Sequence, residues 1–283
     1  MLEVRPLTGV LGAEIEGLSL AEPLTPETYH LVRQALVDHQ VLVFRDQDLS
    51  PDQQIALGQQ FGELDTHPYI DGNSKWPFIL DVITEPDDVV NFGGGWHTDV
   101  TFLPEPDAMS ILNAVEVPAS GGDTLFASQS AAYEALSPTM SRMLDSLVAV
   151  HSAAHQYGPD GLSTKSNAIE TKNHGDSNRT VEHPVIRTHP ESGRRSIYVN
   201  QAFTTRIKSL RAGESKALLD FLFAHSIQEQ FTCRVRWEPG TLTMWDNRSV
   251  QHFALHDYAG SRRHMRRVTV KGDRPMAIGL PNS

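Results

Sequence analysis

Apolar residues in this chain fall mainly into short runs and alternations, and only a few stretches carry a helical stripe. Thr25-Pro26 and Ser50-Pro51 each set a capping side chain before a proline at the first helical position, which predicts helices over 26–39 and 51–61. Gln53, three residues after Ser50, completes a capping box. Between the two helices the unbroken apolar run Val41-Leu42-Val43-Phe44 reads as a buried strand. A third helical stretch covers about 129–148 and restarts at Ser137-Pro138. A fourth covers about 213–226, with Leu218, Leu219, Leu222 and Phe223 on one apolar face.

The remainder is strand-and-turn sequence, with candidate strands at 109–115, 147–152, 184–188, 196–199, 231–237, 241–245 and 265–271. Many short strands with a few helices predict a mainly β fold, a double-sheet jelly roll flanked by helices. No internal repeat or low-complexity linker divides the chain, so 1–283 is expected to be a single domain. Residues 155–180 stand apart, rich in Gly, Ser, Asn, Asp and Lys and poor in apolar residues. A connection of that length reads either as a lid or as a disordered loop.

Composition narrows the function classes. With 283 residues and 39% hydrophobic content the chain can bury an ample core. A net charge of −11 argues against nonspecific binding to nucleic acid or to an anionic membrane. Cys233 is the single cysteine, so no intramolecular disulfide can form, which suits a reducing compartment. There is no basic-then-apolar leader pattern and no 18-residue apolar run, so the expected location is the cytoplasm.

The chemistry concentrates around His97-Thr98-Asp99. The segment 96–102 is rich in Thr, Val and aromatic residues and follows Gly93-Gly94-Gly95, so it is expected to be extended. On a strand, residues i and i+2 point to the same side, and a His and an Asp so placed can bind one ion. Two His and one carboxylate form the facial triad that holds Fe(II) and leaves positions open for a cosubstrate and O2. The third ligand has to come from a distant part of the chain. By itself a His-x-Asp is weak in a sequence with 13 histidines.

Several further segments carry a resemblance. They are Trp96 through Phe102, Gly121-Gly122-Asp123-Thr124, Val181-Glu182-His183-Pro184-Val185, Phe203-Thr204-Thr205-Arg206-Ile207, Trp245-Asp246-Asn247-Arg248, and Arg263 through Pro275. Together, in this order, the chain resembles the taurine dioxygenase (TauD/TfdA-like) family of Fe(II)/2-oxoglutarate dioxygenases. The resemblance implies a double-stranded β-helix of the clavaminate synthase-like kind. It implies His97, Asp99 and His252 as metal ligands, with His256 the competitor for the third place. It assigns Arg263 to the far carboxylate of 2-oxoglutarate, which suits a bidentate, permanently charged fork, and Thr124 to a hydroxyl hydrogen bond with it. Arg267 becomes an anion clamp for substrate. Strand parity puts Arg263, Met265, Arg267 and Thr269 on one face and Val268 and Val270 on the other, without saying which face is the site. His67 aligns with a substrate-contacting histidine. Phe203 reads either as an aromatic wall of that pocket or as plain core. The chain departs from the family's taurine enzyme at Gly93-Gly94-Gly95, where that enzyme carries an asparagine. The glycines leave room for a larger substrate and remove a hydrogen-bonding partner, which argues against taurine itself; Asn91, a partial substitute, stands two residues off.

The implied reaction consumes O2 and 2-oxoglutarate, releases succinate and CO2, and oxidises a C–H bond of a small anionic organic substrate. Hydroxylation can continue to C–S or C–O cleavage. Relatives of this kind are expected to be dimers or tetramers. Two rivals use the same residues: a Zn-dependent hydrolase, which leaves Arg263, Arg267 and Thr124 without a role, and a non-catalytic jelly-roll binding protein, which need not keep all of them.

Overall fold

The computed structural model describes residues 2–88, 92–162, 171–172 and 174–277. The helices Pro26–His39 and Pro51–Phe61 begin where proline and cap predict. Thr25 Oγ1 accepts from the Thr28 N–H, and Ser50 and Gln53 form the reciprocal capping box. The third helical stretch breaks as expected into Gln129–Glu134 and Pro138–Leu144 but stops short of 148, because the strand Val148–Ser152 begins there. The fourth expected stretch forms the helix Ala212–Ser226.

The strands build a double-stranded β-helix. The larger sheet has eight strands, with Val41–Phe44, Leu242–Asp246, Met109–Glu116 and Arg263–Val270 side by side at its centre. Facing it is a smaller sheet in which Thr124–Ser128 lies between Thr232–Val235 and Val250–Ala254. A further three-stranded sheet places Val148–Ser152 between Thr204–Ile207 and Thr180–Pro184.

Alternation along the central strands splits the interior in two. Leu42, Phe44, Met109, Ile111, Val268 and Val270 pack beneath the helices with Leu36, Leu57 and Phe61. Val41, Val43, Leu112, Ala114, Trp245 and Met265 point the other way and meet Phe126, Val235 and Val250 of the smaller sheet. This resolves the parity of the last strand. Val268 and Val270 serve the helix-side core, so Arg263, Met265 and Arg267 face the space between the sheets. Both faces are buried, which is why alternation in the sequence could not choose between them.

The expected strand over 96–102 is not there. His97 makes a single antiparallel bridge to His252, with N–H to carbonyl bonds of 3.1 and 2.8 Å in the two directions. The chain then turns. Thr98 Oγ1 donates to the Val250 carbonyl at 2.8 Å, Val100 takes φ +43°, and Leu103 N donates to Val100 O at 2.9 Å. His97 and Asp99 therefore converge through a turn and not through shared strand parity. Of the 155–180 connection, the structure describes a short helix Ala154–Tyr157, a 3-10 helix His174–Asn178 and a bridge between Thr171 and Ile70. The part of the expected lid at 163–170 and 173, and Asn91, lie outside the described residues.

Candidate metal and cosubstrate site

The backbone bridge sets His97 and His252 directly opposite each other, with ring centroids 4.1 Å apart. Asp99 closes the group: its Oδ1 lies 3.7 Å from His97 Nε2 and 3.9 Å from His252 Nε2. One ligand atom from each of the three residues falls within 4.8 Å of the others, and all three side chains are buried. His97 Nδ1 lies 2.7 Å from the Gly95 carbonyl, which accepts its proton and leaves the Nε2 lone pair toward the group.

Burial pushes His252 down to about 3, with His97 adding to the effect, and burial also lowers His97. Both imidazoles are therefore neutral at ordinary pH, the form that binds a metal. Burial alone would raise Asp99, but Arg267 and the two histidines override it and hold the carboxyl well below the usual range. The site thus presents two neutral nitrogens and one carboxylate, a donor set that fits Fe(II).

A cavity beside the triad is lined by Phe92, Gly93, Leu112, Thr124, Trp245, Arg263, Met265 and Arg267 as well as both histidines. Arg263 is 5% exposed, and among the described residues its Nε and Nη2 have no partner and it forms no ion pair. A buried guanidinium without a counter-charge is costly unless a ligand supplies one. Next to it, Trp237 Nε1 donates to Thr124 Oγ1 at 3.0 Å, so the Thr124 proton is left to donate elsewhere. Gly122, at φ +71°, lies against Arg263, where an added Cβ would come within 3.4 Å of its Nε. These groups fit an anionic cosubstrate whose carboxylate meets Arg263 and Thr124.

Arg267 Nη1 donates to Asp99 Oδ1 at 3.1 Å. His67 and Phe203 do not line this cavity. The His67 ring lies 5.1 Å from that of Tyr157 and 6.3 Å from that of Phe102, and burial, with Arg267 adding, pushes it down to about 3. Phe203 is 5% exposed and meets Phe102 edge-on at 4.9 Å. Both thus belong to an aromatic cluster.

Sequence reasoning assigned no role to several residues that build the site. Ser110 Oγ donates to Asp99 Oδ2 at 2.9 Å, and Asn247 Nδ2 donates to Ser110 Oγ at 3.1 Å. Thr101 is gripped from three directions: Asn200 Nδ2 donates to its hydroxyl at 3.0 Å, His151 Nδ1 lies 3.0 Å from that hydroxyl, and His183 Nε2 lies 3.0 Å from its carbonyl. That grip holds the turn in which the β-branched Val100 occupies a left-handed conformation. The one signal for Asn247 was its place in Trp245-Asp246-Asn247-Arg248.

The family model described as "Taurine catabolism dioxygenase TauD, TfdA family" matches residues 3–269. The chain belongs to this family. An α-ketoglutarate-dependent sulfate ester dioxygenase from Pseudomonas putida is 36% identical to this TauD/TfdA family member over 282 residues, covering 98% of this chain and 92% of the relative. An alkylsulfatase from Acinetobacter baylyi is 34% identical over 275 residues, covering 96% of this chain and 86% of the relative. The crystal structure of a taurine dioxygenase from Burkholderia xenovorans superposes with a TM-score of 0.82 at 33% identity, covering 98% of this chain and 93% of that one. This TauD/TfdA protein is an Fe(II)- and 2-oxoglutarate-dependent dioxygenase with O2 as its other cosubstrate. The hydrolase and binding-protein readings are not favoured. Among the described residues no helix is long and apolar enough to cross a membrane.

Proposed function

We propose that this dioxygenase acts on sulfate esters, oxidising the carbon bonded to the ester oxygen. In this reading His97, Asp99 and His252 hold Fe(II), Arg263 and Thr124 hold the far carboxylate of 2-oxoglutarate, and Arg267 faces the sulfate. The observation that carries the cosubstrate assignment is the buried Arg263 guanidinium, unpaired among the described residues, in the same cavity as the two histidines. Support for the substrate class comes from the two relatives named for sulfate esters and from Gly93, which lines the cavity without a side chain to crowd a longer substrate.

The bound iron and 2-oxoglutarate supply the oxidation, in which O2 and 2-oxoglutarate are consumed, succinate and CO2 leave, and a C–H bond becomes C–OH. The residues of the chain place and shield the reactants. Arg263 supplies a fixed two-pronged donor and Thr124 a third proton, its orientation set by Trp237. Phe92, Leu112, Trp245 and Met265 give the cavity an apolar lining that excludes water around the reacting carbon. Hydroxylation of R–CH2–O–SO3⁻ places an OH on the carbon that bears the ester oxygen. The C–O bond to sulfate then breaks, the hydroxyl oxygen stays as the aldehyde carbonyl, and hydrogen sulfate leaves with the hydroxyl proton.

The test is anaerobic titration with Fe(II) and then 2-oxoglutarate, read by the weak visible charge-transfer band of the chelate, followed by succinate release with alkyl sulfates, alkylsulfonates and aryloxyalkanoates. The expected result is a band in the wild type, none in His97→Ala, and the highest turnover with an alkyl sulfate. Faster turnover of a sulfonate or aryloxyalkanoate would overturn the substrate class. Absence of the band with metal bound would overturn the cosubstrate assignment.

A further inference from the structure

Asp99 turns one oxygen toward the two histidines, and Arg267 already holds that oxygen. The other oxygen, Oδ2, accepts from Ser110 Oγ at 2.9 Å. Ser110 Oγ accepts from Asn247 Nδ2 at 3.1 Å, and Asn247 Oδ1 accepts from Trp245 Nε1 at 2.9 Å. All three residues are buried, so this chain of donors fixes the rotation of the carboxylate. Oδ1, the oxygen 3.7 and 3.9 Å from the two Nε2 atoms, is the one to which Arg267 Nη1 donates at 3.1 Å. The two side chains are 6% and 5% exposed.

A metal cation and a guanidinium on one carboxylate oxygen oppose each other, and in a cleft with little water the opposition is weakly screened. Among the described residues, Arg267 Nε is buried without a partner. One edge of the guanidinium is therefore left to take an anion while Nη1 stays on Asp99. An anion there offsets the charge that Arg267 turns toward the metal.

We propose that Arg267 couples the two halves of the site: sharing Asp99 Oδ1 with the metal, it weakens metal binding while its other edge is bare, and an anion on that edge tightens the metal. By linkage the metal tightens the anion equally. Anionic substrate and metal thus reinforce each other through one side chain. This rests on the metal and substrate roles proposed above.

The test measures Mn(II) affinity of the full chain, with no 2-oxoglutarate present, by electron paramagnetic resonance of the free ion. Arg267→Gln is expected to bind Mn(II) about tenfold more tightly than wild type, a coupling within the usual range, and Arg267→Lys, which keeps the charge, to stay within about threefold. Saturating ethyl sulfate is expected to tighten Mn(II) about tenfold in wild type and less than about twofold in Arg267→Lys, since one ammonium cannot span both Asp99 and an anion. Unchanged or weaker Mn(II) binding in Arg267→Gln would overturn the proposal. So would full coupling in Arg267→Lys, which would show plain attraction between anion and metal, or no ethyl sulfate effect in wild type. If Arg267→Gln does not fold, the Lys variant decides. The 2-oxoglutarate chelate band separates the two readings: a normal band without Arg267-dependent Mn(II) coupling removes only this proposal, and coupling without a band removes only the assignment of the cosubstrate.

Discussion

The indole N–H of Trp237 donates to the hydroxyl of Thr124 at 3.0 Å, and the same ring lies 5.9 Å from the Arg263 guanidinium carbon. One side chain thereby orients both groups assigned to the cosubstrate carboxylate. Trp237→Phe keeps an aromatic face for Arg263 but removes the donor. Freed of that donor, the Thr124 hydroxyl can rotate and its proton is no longer directed. The expected result is about a fivefold weaker 2-oxoglutarate affinity, on the scale of one hydrogen bond, with Mn(II) affinity unchanged. Titration of the chelate band and of Mn(II) measures the two separately. Equal loss of both would show that Trp237 supports the whole cleft and not the carboxylate subsite.

Arg263 and Arg267 share a strand face but not a task. Among the described residues Arg263 has no partner for Nε and Nη2, whereas Arg267 donates to Asp99. Arg263→Ala should raise the 2-oxoglutarate requirement by about a hundredfold, the scale of a charge-assisted pair, and leave substrate KM within about threefold. Arg267→Ala should do the reverse. Steady-state kinetics varying each substrate in turn decide this, and similar effects of both variants on 2-oxoglutarate would undo the assignment of separate roles.

How much of this was legible beforehand differs by element. The starts of the helices near 26–39 and 51–61 were readable to the residue because proline and its capping neighbour act locally, within one turn. The strands Thr124–Ser128 and Val250–Ala254, which carry Thr124 and His252, were not predicted from the pattern. They are short, and both sides of most of their residues are covered, so no alternation survives in the sequence. The ligand identities came from motif order. Their geometry did not, because a His-x-Asp on a strand and one in a turn have the same sequence spacing. Ser110, Asn200 and Trp237 meet the site through side-chain hydrogen bonds to residues 11, 99 and 113 positions away in the chain, and nothing local marks them.

Thr101 tests the turn that took the place of the expected strand. Thr101→Val preserves volume but leaves Asn200 Nδ2 without its acceptor in a buried site and breaks the contact with His151 Nδ1. The expected cost is about 3 kcal/mol of stability, from unsatisfied buried groups. With the turn loosened, Val100 can leave φ +43° and Asp99 loses its place opposite the histidines. Mn(II) affinity should then fall by about tenfold or more, roughly the scale for loss of a supporting partner of a metal ligand. Urea unfolding and Mn(II) titration report the two effects, and lost stability with intact Mn(II) affinity would show that the grip is structural only.

Stability of the metal-free protein should fall as pH drops below 6.5. Burial lowers His67 to about 3, His183 to about 4 and His252 to about 3, and also lowers His97 and His151. In the unfolded chain these groups take up protons near 6.5, so between about 4 and 6.5 the unfolded state binds more protons and stability rises with pH. Asp107 opposes this. Burial raises it to about 8, so it is protonated in the folded state and ionised in the unfolded state over the same window. Five histidines outweigh one carboxyl. Urea midpoints at pH 7.0, 5.5 and 4.5 should therefore decrease in that order, and a flat or inverted series would contradict neutral burial of these histidines.

Two glycines of one run make opposite demands on the site. Gly93 sits at φ +78°, and a Cβ there would lie 3.4 Å from His97 Cε1 and 3.8 Å from Ala254 Cβ. Its carbonyl also accepts the Ala254 N–H at 3.1 Å, so the backbone cannot easily turn away. Among the described residues, Gly95 has no atom within 4 Å of an added Cβ. Gly93→Ala is therefore expected to cost about 1 kcal/mol in left-handed strain, and relief of that strain would shift the backbone beside His97 and weaken Mn(II) binding. Gly95→Ala should change neither quantity, since the Gly95 carbonyl that accepts from His97 Nδ1 is backbone and survives the substitution. Unfolding and Mn(II) titration of the two variants side by side test this. Equal damage from both would mean that the run is required for its flexibility, and that the space beside His97 is incidental.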